Sequence, residues 1–318
     1  MTLVIGADEA GYGPNLGPLV VAVTAWDLAQ EPREAAAALD AAVAAAVDAA
    51  AGTGVAPSWA DSKLVHRGGA GFGALERGAL VALAVARGTV PEAWTPLTVA
   101  TGVAGSGQRD PPEAAAREAL RIPIGSDAAA DVETSAAAVR AALVARGVRG
   151  VSIGLAIVDP GAFNAQLDAG LNKSDVLSKA TLDLVARAVR PAEPAVICCD
   201  RHGGRKRYAP LLVRHFGSPL VQVDEETATR SAYTLPDIDV RIEFRVRAEA
   251  AAPVAVASVV AKYVRELAMR AFNEHWGRLA PGLGPTAGYP EDAARWRSAA
   301  TAVVGAAGVP WDEIWRRA

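Results

Sequence analysis

Cysteine is nearly missing from this chain. The two present, Cys198 and Cys199, are adjacent inside an apolar run. That arrangement excludes a disulfide framework and zinc-ligand spacing, and leaves them as small buried side chains in a reducing compartment. Histidine is scarce and aromatic residues are few. A formal net charge of −3 provides no whole-molecule attraction to nucleic acid, so any such binding has to use a local basic patch. No apolar run is long enough to span a bilayer and no signal peptide precedes the first apolar run, so a cytoplasmic protein without membrane association is expected. The two common phosphate-loop contexts are also missing. No Gly-Lys-Ser or Gly-Lys-Thr follows the first glycines, which lead into a strand-like run rather than a helix.

Apolar residues, by contrast, are ample for a buried core, in one large domain or two small ones. Alanine is so abundant that several segments read as helix through propensity alone. At the start, Leu3, Val4 and Ile5 read as a short strand bounded by Gly6, with Asp8 and Glu9 where it runs out. Gly11, Gly13 and Gly17, with Pro14 and Pro18, form a turn whose backbone can approach a ligand closely. Residues 19–23 then return as a second strand. Neighbouring carboxylates beside exposed glycine amides suit a divalent cation next to a phosphate, because hard cations take oxygen ligands and phosphates accept from backbone N–H groups. The alternative is a solvated Asp-Glu pair at a turn.

Residues 31–51 read as an Ala-rich helix or helix pair. Asp61, Ser62 and Lys63 form a loop opening a helix near residues 72–87. Residues 88–126 are rich in Pro, Gly and Thr and read as an insertion of loops and edge strand, with 97–100 a short apolar piece. A helix over about residues 131–146 leads into 151–158, a continuous apolar run of the kind a central strand has. Residues 171–189 have helical spacing, with Ser174 as N-cap. Residues 195–199 read as a buried strand ending at a third carboxylate, Asp200. The loop beyond it carries Arg201, Arg205, Lys206 and Arg207, either as a solvated face or as a phosphate contact.

Residues 220–223 read as a strand, and alternation over 240–246 suggests an edge strand with Arg241, Glu243 and Arg245 outward. The clearest helix spans 253–276, with Pro253 at its start and an apolar stripe from Val256, Val259, Val260, Tyr263, Val264 and Leu267. Ser258, Lys262 and Glu266 recur at intervals of four, which puts a cation and a fourth carboxylate near one face. The alternative is a surface Lys262–Glu266 pair. Beyond Gly282, a turn at Gly288, Tyr289 and Pro290 precedes helical pieces whose Trp296, Trp311 and Trp315 are expected to pack the tail onto the body rather than stack bases.

In this order the motifs resemble the ribonuclease HII and HIII family of hybrid-cleaving endonucleases. Asp8-Glu9-Ala10-Gly11-Tyr12-Gly13 is similar to the family's Asp-Glu-Ala-Gly-Arg-Gly signature, and Gly17 to Val23 continue as the family does. Asp61-Ser62-Lys63 is similar to its Asp-Ser-Lys element, and Leu171-Asn172 with Ala180-Thr181-Leu182 to its Leu-Asn and Ala-Thr-Leu helix. Residues 255–266, AVASVVAKYVRE, match its Ala-Ala-Ala-Ser-Ile-Val-Ala-Lys-Val-x-Arg-Asp helix, and Gly288-Tyr289 its later Gly-Tyr turn. The matches cover most of the chain.

The resemblance implies an α/β, RNase H-like fold: a mixed central β-sheet flanked by helices, with insertions and a C-terminal helical extension. The catalytic domain would span residues 1–280, with insertions at about 31–56 and 88–146, and residues 281–318 would pack on it. It also implies Asp8, Glu9, Asp200 and Glu266 as ligands of two Mg²⁺ or Mn²⁺ ions. Two such ions can activate water for attack on phosphorus and stabilise the departing 3′ oxygen without a His or Cys nucleophile. Gly11, Tyr12 and Gly13 would face the ribose, since a 2′-OH distinguishes RNA from DNA. Ser62, Lys63, Asn172, Arg205, Lys206, Ser258 and Lys262 would contact nucleic acid, and Tyr289 would stack at the ribonucleotide.

The partner would be an RNA/DNA hybrid or ribonucleotide-containing duplex, cut to 5′-phosphate and 3′-hydroxyl ends by a monomer. Three features depart from the family. Tyr12 replaces its usual Arg, Glu266 replaces the commoner Asp, and the chain is longer. A non-catalytic nucleic-acid-binding protein of the same fold, a nuclease acting on another structured nucleic acid and a small-molecule phosphate-binding enzyme are the competing readings.

Overall fold

A computed structural model describes residues 1–52, 56–59, 71–100, 110–124 and 128–317. Seven strands form one mixed sheet in the order β3-β2-β1-β4-β7-β6-β5. At its centre β1 (Thr2–Ala10) and β2 (Leu19–Leu28) are antiparallel, while β1, β4 (Ala195–Asp200) and β7 (Val240–Arg245) run parallel. The edges are β3 (Val148–Val158) on one side and the antiparallel pair β6 (Arg230–Leu235) and β5 (Gln222–Glu226) on the other.

Successive side chains point to opposite faces of a strand, and both faces of the half of the sheet formed by β1, β2 and β3 are covered. Val4, Val20 and Ala22 join one core with helices α1 (Pro32–Ala51), α2 (Gly71–Arg87), α5 (Ala128–Ala145) and α9 (Ala252–Leu279). Leu3, Ile5, Leu19 and Val21 join the other with α6 (Pro160–Asp168), α7 (Lys173–Ala188) and α8 (Ala209–Phe216). That two-sided burial explains the unbroken apolar runs of β1 and β2.

Helix α9 is buried on almost every side and crosses the sheet beside β1 and β2. Gly6 permits this approach, because a Cβ there would stand 2.5 Å from the carbonyl oxygen of Pro253 and the nitrogen of Val254. Thr24 Oγ1 donates to the Pro253 carbonyl at 2.8 Å and accepts from the Trp26 indole at 2.9 Å. The start of α9 is thereby pinned to the middle of the sheet.

Several elements differ from expectation for identifiable reasons. Residues 151–158 belong to an edge strand, not a central one. Their apolar character reflects α2 on one face and α7 on the other. Strand β7 is internal, not an edge. Its alternation marks a solvated face on which Glu243 pairs with Arg230 at 2.8 Å and Arg245 at 3.1 Å. Its neighbour β6 carries no pattern that singles it out in sequence.

Residues 94–100 and 114–119 form short helices, α3 (Trp94–Ala100) and α4 (Ala114–Ala119), instead of loops and edge strand. Buried Arg117 ties α4 to the body through Asp159 at 2.6 Å, and pairs within its own helix with the N-cap Glu113 at 2.6 Å. Asn172, not Ser174, caps α7: its side chain accepts from Asp175 N at 3.0 Å, and Asp175 reciprocates at 3.1 Å.

The segments expected as insertions contribute α1 and α5 to the main core. Residues of the tail meet α9 and the glycine turn. From α10 (Pro290–Ala306), Trp296 meets Phe272 and Trp276 of α9 at ring distances of 5.0 and 6.0 Å. Trp315 bridges to Leu16, and Arg297 lies over both Trp311 and Trp315.

Candidate metal centre

Strands β1 and β4 are parallel neighbours paired up to Ala7↔Cys199, so Asp8 and Asp200, next along each strand, stand side by side where that pairing stops. Asp8, Glu9 and Asp200 each offer a carboxylate oxygen within 4.8 Å of the others. Burial, with Asp200 beside it, pushes the Asp8 carboxyl up to about 7, against hydrogen bonds from Ser258 and the Glu9 backbone that favour its charged form. The Glu9 amide donates to Asp8 Oδ1 at 2.8 Å, and the Ala248 amide donates to Asp200 Oδ1 at 3.2 Å. These donors fix the carboxylates but do not offset their mutual repulsion. A set of hard oxygen ligands so arranged fits a divalent cation.

One acid that the sequence reading missed belongs beside this group. Glu249 follows β7, the third parallel strand, by four residues, and its charge contributes to raising Asp8. A cavity of about 670 Å³ between α1 and the start of α9 reaches Glu249, lined also by Asp40, Asp48, Arg247 and Trp59. The signal available in sequence was the rule that sites form beyond the carboxyl ends of parallel strands, which applies to 246–250 once β7 is known to pair with β4.

Glu266, expected as the fourth ligand, is not brought into the cluster. It lies eight residues beyond Ser258, about 12 Å along the helix axis at 1.5 Å per residue, and its charge acts on its neighbour Arg265. Lys262 lies one turn beyond Ser258 and is partly buried.

The Gly11–Gly13 turn stands next to the acids. Gly11 has φ +86°, and a Cβ there would meet the Pro18 carbonyl at 2.6 Å. Gly13 is exposed, while Tyr12 is half-buried with Lys173 Nζ 5.0 Å from its ring centre. Burial, with the charge of Glu9, raises the Tyr12 phenol. Tyr289 is exposed, with the Arg265 guanidinium 5.7 Å from its ring.

The basic loop divides by role. Arg201 is buried and holds the carbonyls of Arg205, Ala228 and Thr227. Arg205 pairs with Asp175 and donates to Ser174 Oγ at 3.1 Å. Lys206 and Arg207 are exposed. Between them and the strand, His202 is buried against Ser178 at 2.9 Å, and burial pushes it down to about 3, so it stays neutral. Asn172 spends its side chain on the α7 cap. Ser62 and Lys63 lie outside the described residues. Cys198 and Cys199 are free and buried, as expected.

No protein-family model and no curated protein matches this chain. Solved structures do. The ribonuclease HII of Archaeoglobus fulgidus, in its complex with PCNA, is 16% identical, with 99% of this chain and 94% of that one aligned at a TM-score of 0.48. For Bst-RNase HIII in complex with Mn²⁺ the values are 17%, 99%, 66% and 0.42. The ribonuclease H2 from Pyrococcus horikoshii gives 15%, 98%, 92% and 0.41. The chain is thus similar, along nearly all its length and at low identity, to solved type 2 ribonucleases H.

Proposed function

We propose that this protein is a divalent-metal-dependent endonuclease that hydrolyses the RNA strand of RNA/DNA hybrids, leaving 5′-phosphate and 3′-hydroxyl ends. The observation that carries the reading is the convergence of Asp8, Glu9 and Asp200 within 4.8 Å at the ends of adjacent parallel strands, directly before a glycine turn. The ordered motifs of the ribonuclease HII and HIII family support it.

Asp8, Glu9 and Asp200, with Glu249 in the fourth place in preference to Glu266, would hold Mg²⁺ or Mn²⁺. Bound there, two such ions would supply activation of a water and neutralisation of charge on the departing 3′ oxygen. Ser258 and the Glu9 amide hold the Asp8 carboxylate ready as a ligand, and the Ala248 amide does the same for Asp200. Backbone amides of the Gly11–Gly13 turn are offered to a ribose 2′-OH and its phosphate. The exposed ring of Tyr289 is offered for stacking on a nucleotide, and Lys206 and Lys262 supply cations for the backbone.

Cleavage of labelled RNA/DNA hybrid, single-stranded RNA, DNA duplex and a duplex with one embedded ribonucleotide, with Mg²⁺ or Mn²⁺ and with chelator, tests the reading. Hybrid cleavage that needs metal is expected, exceeding that of the single-ribonucleotide duplex because Tyr12 lacks the charge of an Arg. Asp8→Asn and Asp200→Asn should each lower the rate more than about a hundredfold without lowering the melting temperature. Metal-independent cleavage, or wild-type rates in both variants, would sink the assignment.

A further inference from the structure

Three cations from distant parts of the chain gather beneath the glycine turn. Lys173, the first residue of α7, stands over the Tyr12 ring, 5.0 Å from its centre. Arg316, near the end of the chain, is 1% exposed, lies over Phe163 at 5.2 Å and donates to the Pro14 carbonyl. Arg265 of α9 is 4% exposed and donates to the carbonyls of Leu16 at 3.4 Å and Ala287 at 3.0 Å. Among the described residues, the buried Nε of each arginine has no hydrogen-bond partner.

These charges oppose one another. Burial, with Arg265 nearby, pushes Arg316 down to about 9, and burial together with Arg316 lowers Lys173. Two buried guanidiniums whose Nε atoms go unsatisfied are costly to hold in a low-dielectric setting. The turn they support leads directly to the carboxylate cluster, and Tyr12 lies in the field of Glu9. A polyanion crossing the cluster therefore passes Lys173.

We propose that Lys173, held on the face of Tyr12 and backed by the buried charge of Arg316, is a seat for one backbone phosphate of the nucleic-acid substrate. This rests on the nuclease reading and adds the residue that supplies positive charge where Tyr12 has none. Lys173 makes the contact. Arg316 is a positioning residue that sets the potential beneath it.

Equilibrium binding of the full chain to an RNA/DNA hybrid and to a DNA duplex of the same sequence, measured against salt, tests the proposal. Because the seat reads phosphate and not sugar, Lys173→Met should reduce the salt slope by about one on both duplexes. It should weaken binding about threefold to tenfold near physiological salt, and Lys173→Arg should restore the slope. Arg316→Met should weaken binding by a similar factor while the melting temperature holds or rises, since an uncompensated buried charge is removed. An unchanged slope in Lys173→Met, with wild-type protein binding and cutting hybrid, overturns the seat and leaves the nuclease reading standing. A slope change on the hybrid alone means a ribose contact and also overturns it. A lowered melting temperature with unchanged affinity in Arg316→Met removes Arg316 from the proposal. Wild-type protein that binds neither duplex overturns both readings.

Discussion

Two neighbouring regions hold like charges together, and they do so by different means. At the ends of β1 and β4, carboxylates are aligned by strand register, and burial with Asp200 nearby raises Asp8 to about 7. Under the glycine turn, cations come from α7, α9 and the tail, the two arginines held by hydrogen bonds to turn carbonyls, and burial with Arg265 nearby lowers Arg316 to about 9. In each case the fold fixes charges of one sign near one another, where an ion of the other sign would relieve them. The acids sit on sheet, where metal ligands would gain the fixed geometry they need. The cations sit at a helix start (Lys173), in mid-helix (Arg265) and on a terminal segment (Arg316).

The comparison is sharpened first at the acid end, where two glutamates compete for the fourth place. Glu249→Gln is expected to lower metal-dependent cleavage about tenfold to a hundredfold, while Glu266→Gln stays within about threefold of wild type. Steady-state kinetics on the hybrid decide this, and the reverse pattern would return the role to Glu266.

The smallest effect concerns a compensated carboxylate elsewhere. Burial alone would raise Asp183, but hydrogen bonds from His215 at 2.9 Å and Lys179 at 2.6 Å outweigh it and hold the carboxyl at about 2, below its ordinary 3.8. A carboxyl depressed on folding contributes stability that is complete above about pH 4 and lost as pH falls toward 2. Solvent screening limits the contribution to about 1 kcal/mol or less. Denaturant titrations from pH 5 to pH 2 should show that loss in wild type and a flatter profile in Asp183→Asn. A profile identical in both would mean that the pairing adds nothing to folding.

The same contrast explains what was legible in sequence. Strands β1, β2 and β4 and helices α7 and α9 stand out because local period and punctuation mark them. Asp8, Glu9 and Asp200 follow because each sits where an apolar run stops. Strand order is a tertiary property, so the apolar run of β3 suggested a centre and the alternation of β7 an edge, when both patterns report only which faces are covered. Glu249 was hidden in an alanine-rich turn that acquires meaning once β7 lies beside β4. Glu266 was favoured by helical spacing from Ser258, which aligns a face but ignores about 12 Å of axial distance. Lys173, Arg265 and Arg316 are separated by most of the chain, and only its closure brings them together.

Titration of Mn²⁺ into the metal-free protein, followed by calorimetry and by the electron paramagnetic resonance signal of the free ion, tests most directly that the strand-end carboxylates form a cation site. Saturable binding is expected in wild type and in Glu266→Gln, strongly weakened in Asp200→Asn and weakened in Glu249→Gln. Binding of equal strength in wild type and Asp200→Asn, or none in wild type, would contradict it.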